Sequence, residues 1–219
     1  MILHLIRHGQ TDWNAIRRVQ GQTESELDDT GKAQASALGQ QLADVAFTRV
    51  HVSSSVRTRQ TAERLFDNRN LPTEFADDLR EMRLGRWETQ LWPDLERDEP
   101  ERVGLYQAFD DRFSVEGAES LAEMQQRGLQ AVERVISAER DAGTSVDANI
   151  AIVSHGFLLR AILARYLGLP LQAFAGSTGL PNCAHNIVEV DDDARQVKTI
   201  ASEPPTQSLW RDIIATAHS

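Results

Sequence analysis

The stretch that most constrains this chain is Asn149-Ile150-Ala151-Ile152-Val153-Ser154, an apolar run that meets His155-Gly156 and passes directly into a helix-patterned segment. A strand with no polar face suits the middle of a parallel sheet covered by helices on both sides. The run from Met1 to Ile6 also reads as a strand, and it too breaks off in a polar turn, Arg7-His8-Gly9-Gln10-Thr11. A third short strand, Arg49-Val50-His51-Val52-Ser53, ends in Ser53-Ser54-Ser55.

Helices are expected between these strands. Asp28-Asp29-Thr30-Gly31 opens one whose apolar residues Ala35, Leu38, Leu42 and Val45 recur at three- and four-residue spacing. A second runs through Thr61, Ala62, Leu65 and Phe66, with Arg57 and Arg59 in its first turn. Cations are unfavourable at the positive end of a helix dipole, and a bound anion there would relieve the conflict. Ser120 and Glu123 form a capping box for a third helix, lined by Leu121, Met124, Ala131, Val132, Val135 and Ile136, with Gly143 as its stop. A fourth carries Leu159, Ile162, Leu163 and Leu167 and stops at Gly168 and Pro170. Residues 79–92 are irregular and rich in ionisable groups, and the acidic stretch 93–113 suits short helices or an excursion over the sheet. Asn186–Val190 and Val197–Ala201 read as late strands joined by Asp191-Asp192-Asp193-Ala194, and Pro204-Pro205 precedes a last amphipathic helix around Leu209, Trp210, Ile213 and Ile214.

Strands alternating with helices predict an α/β fold: a three-layer α/β/α sandwich with a mainly parallel central sheet and helices on both faces. No repeat or linker divides the chain, so residues 1–219 are expected to form a single domain.

Composition narrows the function. A formal net charge of -10 makes nucleic acid or an anionic membrane a poor partner. No apolar run reaches about 18 residues, so no transmembrane helix is expected. The amino terminus lacks the basic leader, apolar core and small-residue cleavage site of a signal peptide. The only cysteine, Cys183, fits a reducing compartment and a cytoplasmic location, and reads as a small, partly buried residue.

The topology brings three strand ends to one edge of the sheet, where ligands bind in open α/β sheets. They deliver Arg7-His8, Ser53 leading to Arg57, and His155-Gly156. Arg80, Arg83 and Arg86 lie in or near the same stretches, so an acidic protein still has the means to build an anion site. His8, His155 and Glu81 are acceptable zinc ligands by type. Placing a metal cation beside Arg7 and Arg57 is costly, however, and no His-x-x-x-His or His-Glu-x-x-His spacing occurs. A phosphoryl site fits better, without metal or cofactor. Arginine forks bind phosphate oxygens, strand-end glycines leave backbone N–H groups free, and a neutral imidazole is a competent nucleophile toward phosphorus. Glu81 can protonate a leaving alkoxide if burial or a neighbouring phosphate favours its acid form.

These stretches resemble the histidine phosphatase (phosphoglycerate mutase-like) superfamily. The resemblance rests on Arg7-His8-Gly9-Gln10-Thr11 with Asn14, Ser53 through Arg57-Thr58-Arg59-Gln60-Thr61-Ala62-Glu63, Glu81 through Glu88, and Ser154-His155-Gly156, in family order. It implies the phosphoglycerate mutase-like fold, His8 as the nucleophile that becomes phosphohistidine, and Glu81 as proton donor that later helps water attack. It also implies Arg7, Arg57 and His155 as phosphoryl ligands beside Gly156, and Asn14 as a residue at or just behind the phosphate. Two departures leave these residues intact: Ser54-Ser55 stands where the family often has Asp or Pro and then Leu, and Gly117-Ala118-Glu119-Ser120 replaces a Gly-Gly-Glu-Ser turn.

Within the superfamily the segment Leu79 to Glu88 resembles the phosphatase branch and lacks the Arg-His-Tyr-Gly that follows the glutamate in cofactor-dependent mutases. The acidic residues of 93–113, among them Asp94, Glu96, Asp98, Glu99, Glu101, Asp110 and Asp111, are a poor lining for a tri-anionic phosphoglycerate, unless they form a solvated helix face. Hydrolysis of a small-molecule phosphomonoester is the expectation. The alternatives are a phosphoglycerate mutase and, as a different class, a non-catalytic phospho-ligand binder. The substrate and the choice between monomer and homodimer stay open. His4 and His51 read as structural, His185 as structural with a possible reach to the site, and His218 as tail. The four tryptophans read as packing residues, with Trp87 the best exception.

Overall fold

The computed structural model describes residues 1–174, 179–192 and 194–202. The final helix expected around Leu209 to Ile214, the Pro204-Pro205 break, Asp193 and His218 lie outside the described residues.

Six strands form one sheet: β1 (Ile2–Arg7), β2 (Phe47–Ser53), β3 (Thr73–Ala76), β4 (Asn149–Ser154), β5 (His185–Val190) and β6 (Arg195–Thr199). Their order is β3-β2-β4-β1-β5-β6. The first four run parallel, and β5 and β6 add antiparallel to β1 and to each other. β4 is a central strand, as its apolar run requires, and Ile150 to Val153 are completely buried.

Its side chains alternate between two cores. Ile150 and Ile152, with Leu3 and Leu5 of β1, pack against α6 (Leu121–Asp141) and α7 (Gly156–Tyr166). Ala151 and Val153, with Ile6, Val50 and Val52, face α2 (Asp29–Gln41) and α3 (Val56–Leu65) through Leu38, Ala62 and Leu65. Burial of each such large side chain contributes about 1.5–3 kcal/mol, and the two-sided burial fixes the register of β4.

The caps follow the sequence. Asp28 accepts the Gly31 N–H at the start of α2, and Ser120 and Glu123 form the reciprocal capping box of α6. Two elements were not legible. β3 is a four-residue exposed edge strand carrying Thr73 and Glu74, too short and polar to show an apolar pattern. The short helix α1 (Asp12–Ala15) lies in what reads as a polar loop. The excursion resolves into α4 (Trp92–Asp98) and α5 (Pro100–Gln107), each opened by a proline in its first turn. Among the described residues no helix is long and apolar enough to cross a membrane.

The buried histidines of the sheet are paired. His51 Nε2 lies 3.2 Å from Glu139 Oε1, which also receives Arg49 Nε at 2.8 Å, tying β2 to α6. His4 Nε2 donates to Asn149 Oδ1 at 3.0 Å, so in the neutral ring its Nδ1 accepts from His185 Nε2 at 2.8 Å. His185 is therefore structural and turned away from the strand ends. Burial, reinforced by His4, pushes the His185 imidazole down to about 4, and burial lowers His4 as well. A base whose folded pKa is depressed stabilises the fold above its unfolded pKa, and that contribution is lost as pH falls toward the folded value. Urea unfolding is expected to show a loss of about 2 kcal/mol or more between pH 7 and pH 4.5, with a shallower slope in His185→Gln. A slope unchanged by that substitution contradicts the pairing.

Candidate active site

β2, β4 and β1 are neighbours and parallel, so their carboxyl ends lie side by side. Arg7 is in register with Ser154, and the His8 N–H donates to the Ser154 carbonyl at 3.0 Å. The imidazoles of His8 and His155 meet edge to face with centroids 5.3 Å apart. Both are buried.

The local contacts of His8 decide its chemistry. Its Nδ1 lies 2.7 Å from the Gly9 carbonyl oxygen, which can only accept. Nδ1 therefore carries the proton, and the lone pair of the neutral ring is on Nε2. Burial, with the Arg57 and Arg7 guanidiniums nearby, holds His8 well below the usual histidine range, so the ring is neutral. The turn that sets this geometry is tightly packed. The Gly9 N–H donates to Thr61 Oγ1 at 3.1 Å, and a Cβ on Gly9 would lie 2.6 Å from the Gly31 carbonyl oxygen. The His8 carbonyl receives the Cys183 N–H and Asn182 Nδ2, each at 3.2 Å.

The other candidate ligands surround this ring with donors. His155 Nε2 lies 2.8 Å from Ser53 Oγ, and its Nδ1 is buried without a partner among the described residues. Burial and Arg57 keep His155 neutral too. Arg57 is completely buried and donates to the carbonyls of Gly21 at 2.8 Å and Thr23 at 3.0 Å, leaving its Nε without a partner among the described residues. Arg7 donates to the Leu180 carbonyl, and its buried Nε is similarly unsatisfied. Arg7 lies across the start of α7, where a Cβ on Gly156 would come within 2.9 Å of Arg7 Nε. Position 156 must be glycine for this guanidinium to lie there.

Glu81 docks on the amino end of α7. Its carboxylate accepts the N–H groups of Phe157 and Leu158, each at 3.0 Å, and of Met82 at 2.9 Å. Its backbone is clamped by Gln22 and by Arg127, which also spans Asp78, Arg80 and Glu119. Asn14 sits one layer back: its Oδ1 caps the Thr11 N–H at 3.2 Å and receives Asn182 Nδ2 at 3.3 Å. Arg7, Glu81 and Gly156 line one cavity of about 210 Å³. A larger hollow of about 400 Å³ at the opposite end of the sheet, around Met1, Arg140 and Glu189, contains no histidine.

Several sequence expectations change. The anion at the start of α3 is Glu24, whose Oε2 receives the Val56 N–H at 2.8 Å, while exposed Arg59 lies over the Phe75 ring. Arg80 is spent on Gln22, Ser54 and Glu24, Arg83 on Gly117, and Arg86 on Glu99. Trp87 is completely buried and packs between Trp92, Tyr106 and Phe113. Most acidic residues of the excursion form ion pairs, as in Arg97 with Asp94 and Asp98, and Arg112 with Asp110, while Glu101 and Asp111 are exposed. They do not line the site, so their charge is no argument against an anionic substrate. Glu88, read only as part of a motif, organises the loop that holds Arg57: it accepts the N–H groups of Gln22, Thr23 and Leu84 and the Thr23 hydroxyl.

A family model described as the histidine phosphatase superfamily (branch 1) matches residues 3–203. The chain belongs to that superfamily. Histidine phosphatase relatives span most of its length. A probable phosphoglycerate mutase GpmB of Erwinia tasmaniensis is 36% identical over 172 residues, covering 78% of this chain and 77% of that protein. A glucosyl-3-phosphoglycerate phosphatase of Mycolicibacterium vanbaalenii is 32% identical over 183 residues, covering 83% and 81%. Among solved structures, Bacillus stearothermophilus YhfR superposes with a TM-score of 0.84 at 28% identity, covering 92% of this chain and 96% of that one. The α-ribazole phosphatase of Shigella flexneri gives 0.80 at 26%, with the same coverage. These likenesses bear out the α/β phosphoglycerate mutase-like architecture and the assignment to histidine phosphatase-type enzymes.

Because Glu88 satisfies four donors around the Arg57 loop, Glu88→Ala is expected to lower the unfolding free energy by about 2 kcal/mol, measured in urea. An unchanged unfolding midpoint contradicts this role.

Proposed function

We propose that this protein is a metal-independent phosphomonoesterase that works through a phosphohistidine on His8. The observation that carries the reading is the fixed tautomer of His8, with its Nε2 lone pair free, among buried nitrogens of Arg7, Arg57 and His155 that have no partner among the described residues. Buried polar nitrogens are rarely left unpaired, and an anion with several oxygens satisfies the two guanidinium N–H groups and, with the Ser53 hydroxyl donating to Nε2, an N–H on His155 Nδ1. Two fixed guanidiniums supply the charge that a metal would otherwise bring.

In the first half-reaction His8 Nε2 attacks phosphorus, the P–N bond forms and the ester P–O bond breaks. The leaving oxygen takes a proton from the acid form of Glu81, which lines the same cavity as Arg7. The carboxylate so formed is received by the N–H groups of Met82, Phe157 and Leu158. In the second half-reaction Glu81 takes a proton from water, the resulting hydroxide attacks phosphorus, the P–N bond breaks and inorganic phosphate leaves. Arg7, Arg57 and His155 hold the phosphoryl oxygens throughout, and Asn14 supports the turn that carries His8. Small phosphomonoesters suit the cavity.

One observation favours a second reading. Relatives that cover most of this chain are named probable phosphoglycerate mutases. A mutase would pass the same phosphoryl group from His8 to a second hydroxyl instead of water.

The test is inorganic phosphate release in EDTA from p-nitrophenyl phosphate and alkyl phosphomonoesters, run on wild type, His8→Ala and Glu81→Gln. Wild-type release should persist in EDTA and vanish in His8→Ala. Glu81→Gln should lose about 100-fold or more on alkyl esters and far less on p-nitrophenyl phosphate, whose leaving group needs little protonation. Residual turnover in His8→Ala, or equal losses on both substrates in Glu81→Gln, contradicts the assigned roles. Interconversion of 3- and 2-phosphoglycerate with a bisphosphoglycerate primer, without phosphate release, moves the protein to the mutase reading.

A further inference from the structure

The cavity that holds Arg7, Glu81 and Gly156 continues past them to Tyr106 and Arg160. Arg160 projects from α7, and its guanidinium lies 4.6 Å from the centroid of Phe109 and 5.0 Å from that of Phe157. Those rings stack on each other at 4.3 Å, Tyr106 stacks on Phe157 at 4.6 Å, and Trp92 stacks on Tyr106 at 5.3 Å. This column braces the cation from one side. Among the described residues the Arg160 guanidinium has no hydrogen bond and no ion pair, and the Tyr106 hydroxyl has no partner either. The arginines of the excursion differ, since Arg97, Arg102 and Arg112 each pair with a carboxylate.

The charge balance of the cavity gives the unpaired cation a use. Glu81 is the carboxylate in the cavity lining, and it is already bound to the amino end of α7. A phosphoryl group on His8 draws on Arg7 and Arg57, which leaves Arg160 in excess on the side where Glu81 meets the leaving oxygen. Building on the hydrolytic reading above, we propose that Arg160, assisted by the Tyr106 hydroxyl, binds a second anionic group carried by the leaving alcohol and so sets substrate specificity. The guanidinium fork accepts a carboxylate or a phosphate in the same way. The cavity of about 210 Å³ has room for a small alcohol.

The experiment compares kcat/KM within two substrate pairs that differ in the second anion. 3-Phosphoglycerate against glycerol 3-phosphate tests a carboxylate. Propane-1,3-diol bisphosphate against its monophosphate tests a second phosphate. Wild type should prefer the doubly anionic member of at least one pair by about tenfold to 100-fold. In Arg160→Met that ratio should fall to below about threefold, Arg160→Lys should retain part of it, and Tyr106→Phe, which keeps the ring stack, should reduce it a few-fold. The ratio is its own control for folding, because a damaged fold lowers both members of a pair alike. A wild type with no preference in either pair, or a preference that survives in Arg160→Met, overturns the proposal while leaving the phosphatase reading intact. Absence of phosphate release from all four esters and from p-nitrophenyl phosphate overturns both.

Discussion

The structure depends on a buried guanidinium that the described residues do not fully satisfy. Arg57 is completely buried, and burial pulls it down to about 10, against Glu81 and Glu24, which support the charge. It has carbonyls for two of its nitrogens and no partner among the described residues for the third. Taking a charge out of water is costly unless hydrogen bonds compensate. The loop of residues 20–24 is shaped to offer those carbonyls, Glu88 holds the loop, and Glu24 occupies the helix end from which Arg57 springs. On the proposed reading, a phosphoryl group meets the remaining demand for negative charge.

That same cation explains why two histidines can stand side by side without charging. Arg57 and Arg7 add to desolvation in pushing His8 and His155 well below their usual range. Neutral rings have distinct nitrogens, and the backbone assigns them: the Gly9 carbonyl fixes the proton of His8 on Nδ1. The nucleophile, donors and leaving-group carboxyl proposed above thus rest on strand ends, one buried charge and a few backbone hydrogen bonds. Electrostatic arrangement of this kind, built in before substrate arrives, is where much catalytic power resides.

The centre of this arrangement was legible in the sequence because it lies on the most regular part of the chain. The apolar runs of β1 and β4 predict strands of one mainly parallel sheet, and such a sheet brings Arg7-His8 and His155-Gly156 to one edge. Residues acting through their backbone, or from irregular segments, were not legible. Arg127 reaches Glu81 from a helix that reads as amphipathic core, and Glu88 works through a loop some sixty residues earlier in the chain. The excursion was the hardest part, since composition alone shows many acids and not which way they face. Once their ion pairs turn outward, the wall left facing the site is aromatic and cationic, the reverse of what the acidic composition suggests. The superfamily resemblance reached the common chemistry of the core. Arg160 and Tyr106 lay outside its motifs, in the lining of the cavity that also holds Arg7 and Glu81.

The central claim is that the phosphoryl group passes through His8. Rapid acid-free quenching of the enzyme during turnover, followed by mass spectrometry of its peptides, tests this most directly. The account predicts a transient phosphoryl adduct on His8, on the nitrogen not hydrogen-bonded to Gly9, that forms and decays fast enough to carry turnover and is stable to base but not to acid. Turnover with no adduct on His8, or with the phosphoryl group on another residue, would contradict it.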